Sequence, residues 1–322
     1  MIDNFQREID YFRISVTDRC NLRCSYCMPE KGVRWLPASE ILTFEEIWQV
    51  CREAAALGMK KIKLTGGEPL VRKDIPKLIA MLREIPGITS VTMTTNGVLL
   101  AEYMDALVKS GLSAVNISLD TMDAAKYAQI TGRDAFSQVM EGLEASVEAG
   151  MTTRVNTVLT GEDVEEDWRK LLSLAEKWPV DVRFIELMPI GMGKKQKGYS
   201  GEWLLQRIKD EYPDIRGEAL RHGNGPAVYY HIPGFAGSIG FINAIHGKFC
   251  SSCNRIRMSA DGQIKPCLCY GDTLDMKRVV RNGTGENIRS LLKKAVEAKP
   301  QGHCFHQKEK ISETKEMVSI GG

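Results

Sequence analysis

Thr17-Asp18-Arg19-Cys20-Asn21-Leu22-Arg23-Cys24-Ser25-Tyr26-Cys27 sets three cysteines within eight residues, at the end of a β-rich run from Tyr11 to Thr17. Three thiolates at this spacing can hold an iron-sulfur cluster while leaving one iron without a protein ligand, open to bind and cleave a substrate. Paired cysteines also bind zinc, which is the plainer reading. Here the first gap is wide for a zinc knuckle and no fourth ligand follows nearby. Redox chemistry is therefore expected where this first strand ends.

Outward from that loop, β-rich runs recur at Lys61 to Thr65, Val91 to Thr95, Ala114 to Leu119, Thr153 to Leu159 and Asp181 to Glu186. Amphipathic stretches lie between them; Phe44, Ile47, Trp48, Cys51, Ala54 and Ala55 recur at helical spacing and make one apolar face. Repeated strand-then-helix units imply a parallel sheet, either open and doubly wound or a complete or partial barrel. After the cysteine loop come Gly66-Gly67-Glu68-Pro69 on the second strand, Thr95-Asn96-Gly97 on the third and Asp120 on the fourth. Asn156, Arg183 and Glu186 lie within or at the end of the last two. Any one of these makes an ordinary strand-to-helix turn. Gathered beside a cysteine loop, they predict one active-site mouth at the C-terminal ends of the strands.

Past Gly191 the pattern changes to a basic glycine loop, Gly191 to Gly198, then a helix over Glu202 to Asp210, then short β-like runs among glycines and prolines. Two regions are expected, residues 1–194 and a smaller C-terminal region, 195–322. Gln307 to Lys315 reads as a charged, solvated or mobile approach to the C-terminus.

The 322 residues are 43% hydrophobic, ample for a sizeable core. With 43 basic against 41 acidic residues the formal net charge is +2, so bulk charge gives no reason to expect nucleic acid or membrane as a partner. Any anion site must be built locally. No basic stretch followed by an apolar run opens the chain, and no run of about 18 apolar residues occurs, so a reducing cytoplasm is the expected compartment. Of nine cysteines, Cys250, Cys253 and Cys267 form a second group, while Cys51 and Cys304 read as plain residues. Taken alone the second group suits zinc as well as iron, with Cys269 a possible fourth ligand.

Cys20, Cys24 and Cys27, with the aromatic Tyr26 before the last cysteine, resemble the motif of the radical S-adenosylmethionine (SAM) superfamily. Cys250-Ser251-Ser252-Cys253-Asn254-Arg255-Ile256-Arg257, then Asp261-Gly262 and Cys267-Leu268, resemble the C-terminal motif of its MoaA-type GTP 3′,8-cyclase family of molybdenum cofactor biosynthesis. The closing Gly321-Gly322 is typical of many members, and the likeness runs from about Phe5 to the end. The resemblance implies an incomplete (βα)6-type TIM barrel of the radical SAM kind, with the C-terminal region completing it and carrying a second cluster. Each triad would hold a 4Fe-4S cluster, the first chelating SAM and generating a 5′-deoxyadenosyl radical, the second facing the guanine of GTP.

By the same resemblance, Tyr26, Gly66, Gly67, Glu68, Ser118, Asn156 and Met188 would contact SAM. GTP would be held by Arg13, Lys63, Thr94, Arg154, Arg183, Arg255, Ile256 and Arg257, with Arg13, Arg255 and Arg257 the catalytic set. Arg255 and Arg257 alternate, so on an extended segment they point the same way, and a planar guanidinium suits phosphate oxygens. Lys63 and Arg154 stand where the family commonly has arginine and lysine, keeping the charge with a different hydrogen-bond geometry. A flavodoxin- or ferredoxin-type electron donor, delivery to a cyclic pyranopterin monophosphate synthase and a homodimer are further implied. A radical peptide-modifying enzyme, or a non-catalytic iron-sulfur or zinc scaffold, would share the cysteines. Neither explains Arg255 and Arg257 directly after a cysteine pair, and a scaffold leaves Gly66 to Pro69 without a purpose.

Overall fold

The structure, a computed structural model, describes residues 1–161, 164–220 and 222–321. The β-rich runs become β1 (Tyr11–Ser15), β2 (Lys61–Thr65), β3 (Ser90–Thr95), β4 (Ala114–Ser118), β5 (Thr153–Leu159) and β6 (Asp181–Glu186). They lie side by side and all parallel. The C-terminal region then adds β7 (Arg216–Gly217), β8 (Val228–His231), β9 (Ile239–Ile242), β10 (Arg255–Met258), β11 (Gln263–Lys265) and β12 (Leu274–Asp275). β9 joins β6 in parallel at one edge and β10 joins β1 in parallel at the other. The order is β12-β11-β10-β1-β2-β3-β4-β5-β6-β9-β8-β7. The second region thus extends both edges of the partial barrel, and among the described residues no pairing joins β12 to β7.

Strand alternation gives the sheet two chemically different faces. Phe12, Ile14, Leu64, Val91, Met93, Val115, Ile117, Val155 and Val182 are fully buried on the outer face, under α1 (Phe44–Ala56), α2 (Ile75–Arg83), α3 (Leu100–Lys109), α4 (Ala124–Thr131), α5 (Phe136–Glu148) and α6 (Val164–Lys177). Each such side chain contributes about 1.5–3 kcal/mol relative to exposure. The helices begin where the sequence supplies acceptors: Thr43 and Glu46 form a capping box on α1, and Asp123 caps α4. The apolar stripe read around Ile47 and Cys51 is the face that α1 buries, and Trp168, Leu171, Leu172 and Ala175 do the same for α6. Later come α7 (Gly201–Glu211), the helix expected over Glu202 to Asp210, then α8 (Met276–Asn282), α9 (Gly285–Glu297) and the short α10 (Met317–Ile320).

One expectation holds only in part. The approach to the C-terminus is solvated at Lys308, Glu309, Lys310, Ser312, Thr314 and Lys315, but Ile311 is buried and Glu313 is 1% exposed. Composition misleads only at Glu313, whose charge is met internally by the buried Lys265.

Candidate active site

The inner face of the sheet encloses a cavity of about 470 Å³, within the range of small-molecule sites. Its wall is the polar half of the strand alternation: Arg13, Lys63, Thr92, Thr94, Asn116, Ser118, Arg154, Asn156, Arg183, Arg255 and Arg257 all line it. Six basic side chains face the cavity against a single acidic one, Glu186, and that carboxylate is taken up by Gly201, Ile245 and His246. Arg257 lies directly across from Arg13, and Arg13 across from Lys63, a row of three cations on adjacent strands. Like charges in that relation destabilise a sheet, so the row suits an anionic ligand.

The neighbours of each cation sharpen the point. Arg183 Nε donates to Asn156 Oδ1 at 2.9 Å, and Arg154 Nε pairs with Asp181 at 3.2 Å. Arg255 lies 5.0 Å from the Phe249 ring centroid, a cation-π contact. Burial, with Arg183, Arg13, Arg154 and Arg255 around it, pulls the Lys63 ammonium well below its ordinary pKa. Burial and the nearby Arg13 and Arg255 do the same to Arg257, whose Nη1 is buried without a hydrogen-bond partner. These groups are held at an electrostatic cost that a triphosphate would remove.

At the C-terminal ends of the strands the cavity meets Cys20, Cys24 and Cys27. The cysteine loop is pinned from two sides. Arg23 and Ser25 donate backbone N–H groups to Thr131 and Ile130 at the end of α4, at 2.7 and 2.9 Å. Gly67 and Glu68 donate to the Thr17 and Arg19 carbonyls, each at 2.8 Å. Glycine is required here by space. A Cβ on Gly66 would lie 2.7 Å from Thr17 O, and one on Gly67 would lie 2.2 Å from Arg19 O. The glycine-rich segment therefore serves first to dock the cysteine loop, and its bare backbone then faces the cavity.

Around the triad, Tyr26 donates its hydroxyl to Asp120 at 2.7 Å, and Asp120 also accepts from Val158 N–H at 2.8 Å. Burial holds that carboxyl up at about 6. Burial also pushes the Cys27 thiol up to about 12, with Cys20 adding to it. Buried thiols that oppose one another's ionisation are relieved by a cation that binds them together. Three thiols on one wall, bare glycine backbone beside them, and Ser118, Asn156 and Met188 also lining the cavity fit a cluster with one open iron and a chelating cofactor.

The second triad sits at the opposite end of the strands, since Cys250 and Cys253 precede β10 and Cys267 follows the antiparallel β11. Its environment differs in sign. Burial opposes ionisation of Cys253, but Arg255 and Lys299 outweigh it and bring the thiol down to about 6. Lys299 is buried and donates to the carbonyls of Arg255 and Pro266 at 2.8 and 3.0 Å, tying the two halves of the triad together. Arg7 does the same from the N-terminus: it pairs with Asp3 and donates to the carbonyls of Cys250, Pro300 and Gln301. Arg7→Ala would strand Asp3 and three carbonyls. It is expected to cost about 3 kcal/mol and to remove roughly half of the iron, that of the second triad alone, checked by thermal denaturation and iron assay on the reconstituted protein.

Most of the expected site residues converge on this cavity, while Glu68, Ile256 and the second triad, Cys250, Cys253 and Cys267, do not line it. Ile256 is fully buried in the core on the outer face and does not line the cavity. Glu68 is buried, accepting from Leu70 N–H, Thr95 hydroxyl and Asn96 N–H at 2.9, 2.8 and 2.6 Å, and burial holds it up at about 7. Its carboxylate knits the ends of β2 and β3 together. Cys269 is buried with its sulfur 3.2 Å from that of Cys304, and Cys51 lies in the core. Among the described residues no set of three or more His, Cys, Asp or Glu is preassembled for a single metal ion. Arg7 and Lys299 escaped sequence reading, because nothing local marks a surface-type residue as the brace of a distant loop.

Comparison with known proteins agrees with this geometry. Residues 14–175 match the model of the Radical SAM superfamily, and residues 180–305 that of Molybdenum Cofactor Synthesis C. A GTP 3′,8-cyclase of Clostridium perfringens (strain SM101 / Type A) is 43% identical over 324 residues, and one of Alkaliphilus metalliredigens (strain QYMF) 42% over 326, each alignment covering 100% of both chains. Among solved structures, Streptococcus suis SuiB bound to S-adenosylmethionine aligns with a TM-score of 0.63 over 97% of this chain and 77% of that one. At 16% identity it is a likeness of fold.

Proposed function

The chain belongs to the radical SAM superfamily and, within it, to the GTP 3′,8-cyclases, and from that membership we propose how its own residues carry the reaction. The reaction converts GTP to (8S)-3′,8-cyclo-7,8-dihydroguanosine 5′-triphosphate, the first step of molybdenum cofactor biosynthesis, with SAM and 4Fe-4S clusters as cofactors. The observation that carries the assignment of roles is the cavity itself, lined by six basic side chains and the first cysteine triad, with the second triad at the opposite end of the same strands.

Cys20, Cys24 and Cys27 would hold the cluster that chelates SAM, and Cys250, Cys253 and Cys267 the one that faces the guanine. When bound, the reduced first cluster and SAM would supply a 5′-deoxyadenosyl radical able to take the ribose 3′ hydrogen. Closure of carbon 3′ onto carbon 8 would then need one further electron, from the electron donor, and one proton to give the 7,8-dihydro product. Tyr26, the Gly66-Gly67 backbone, Ser118, Asn156 and Met188 would seat SAM, while Glu68 fixes the loop on which it rests. Arg13, Lys63, Arg154, Arg183, Arg255 and Arg257 would hold the triphosphate, and Thr94 would contact the substrate. Ile256 would contribute through its backbone alone. Ring closure is then effectively intramolecular, because base and ribose are fixed within one cavity.

The division of labour follows the cysteines. Residues 1–194 would generate the radical, and residues 195–322 would orient the purine and bring the tail. A low-potential flavodoxin or ferredoxin would supply the electron, a cyclic pyranopterin monophosphate synthase would consume the product, and the chain would act as a cytoplasmic homodimer. Among the described residues no helix is long and apolar enough to cross a membrane. The decisive experiment incubates anaerobically reconstituted protein with SAM, dithionite and GTP. Equal amounts of 5′-deoxyadenosine and cyclised nucleotide are expected; 5′-deoxyadenosine formed without loss of GTP overturns the cyclase reading.

A further inference from the structure

The last residues of the chain are held by two carboxylates. Glu313, 1% exposed, pairs with Lys265 Nζ, itself 2% exposed, and Lys265 also donates to the Tyr270 carbonyl at 2.9 Å. The other oxygen of Glu313 accepts from the backbone N–H groups of Thr314 and Lys315, at 2.9 and 2.8 Å. Lys265 stands on β11 directly across from Arg257, so this anchor is fixed to the same strand pair that presents the cavity-lining Arg257 guanidinium. Glu316 forms the second anchor, its Oε2 accepting from Met192 N–H at 2.8 Å.

That second anchor needs a glycine. A Cβ on Gly191 would lie 2.1 Å from Glu316 Oε2, and Gly191 has φ +51°, a conformation side chains disfavour. The turn that receives Glu316 is the one that follows the cavity residue Met188. Beyond the two anchors, Met317 and Val318 line the cavity, and Gly321 packs on Ser15 and Thr65 at the C-terminal ends of β1 and β2. Gly322 lies outside the described residues.

We propose that Glu313 with Lys265, and Glu316 with the Gly191-Met192 turn, form a two-point clasp that positions the C-terminal tail against the radical-generating end of the cavity. A chain end is otherwise prone to fray. A buried ion pair gives a fixed register at the first point, and a carboxylate on a backbone N–H at the second couples the tail to the turn beside Met188. These five residues are positioning residues, and their bearing on turnover rests on the cyclase reading above.

The test is hydrogen exchange on the reconstituted holoenzyme without GTP, alongside iron content and steady-state kinetics. In Glu316→Ala and in Gly191→Ala the amides of Val318 to Ile320 are expected to exchange at least tenfold faster, with iron unchanged. kcat for GTP should fall at least tenfold, with KM moving less than threefold. Glu316→Gln keeps an oxygen to accept from Met192 and is expected to retain protection within about threefold of the parent. Lys265→Met should loosen residues 312–320 together. Unchanged tail exchange in Glu316→Ala overturns the clasp, and faster exchange with undiminished kcat overturns its positioning role. If exchange rises as expected while the parent enzyme fails to cyclise GTP, the clasp stands and the cyclase reading fails.

Discussion

Arg257→Met is expected to lower kcat/KM for GTP by about 100-fold, equivalent to about 2.7 kcal/mol, while leaving the GTP-free protein no less stable than the parent. The two halves of this expectation come from the same side chain. Its Nη1 is buried without a partner, and its neighbours along the sheet are cations. In the absence of an anion the guanidinium therefore contributes little to folding, and methionine keeps the stem's volume while removing the repulsion. With triphosphate bound, the fork of N–H donors makes charge-assisted hydrogen bonds that methionine cannot. A residue that mainly braced the sheet would behave oppositely, losing stability with little change in turnover. The thermal midpoint with and without GTP, read beside kcat/KM, separates the cases, because the GTP-induced rise should disappear with the guanidinium. Arg257→Lys should fall between, recovering charge but losing the planar geometry.

The row of cations also explains how far the sequence could be read. All six central strands were legible because their outer residues are β-branched or large and apolar, and period-two alternation survives burial on both faces. The inward positions were legible as a set of polar strand residues, but their purpose required the second cysteine motif. A lone Arg13 or Lys63 in a strand carries no mark of what it faces. The contacts that brace the site were not legible. Arg7 reaching Cys250, Lys299 bridging Arg255 and Pro266, and Glu313 reaching Lys265 join segments far apart in the chain. No local pattern separates a buried arginine or glutamate of this kind from a solvated one. Charge density in residues 307–315 pointed to solvent, which is right for most of that stretch and wrong for Ile311 and Glu313. Cys269 stood near enough in sequence to Cys267 to be a fourth ligand, and only the structure shows its sulfur 3.2 Å from that of Cys304.

The largest effect on the radical-generating end is expected from a single methyl group, Gly67→Ala. The added carbon would sit 2.2 Å from Arg19 O, 2.5 Å from Arg19 C and 2.7 Å from Asp18 O. All three are backbone atoms, so no side-chain rotation can make room, and the segment must part from the cysteine loop. Parting breaks the bonds from Gly67 N–H to Thr17 and from Glu68 N–H to Arg19. Two backbone hydrogen bonds and an overpacked contact together cost about 3 kcal/mol. The consequence for function is greater than for folding, because Arg19 is followed at once by Cys20 and the loop's displacement moves the thiols off a common centre. Iron should fall by roughly half, the remainder staying with the second triad, and 5′-deoxyadenosine formation should drop by more than about 10³-fold, since a misplaced ligand set disables the site. Gly87→Ala provides the contrast. Its Cβ meets nothing within 4 Å, and its φ of +92° predicts a stability loss of about 1 kcal/mol with iron and radical formation intact. Should Gly67→Ala retain full iron and near-parental 5′-deoxyadenosine formation, the docking of the glycine-rich segment onto the cysteine loop would not be what holds the first cluster, and the bare backbone facing the cavity would be left as the only reason for glycine at that position.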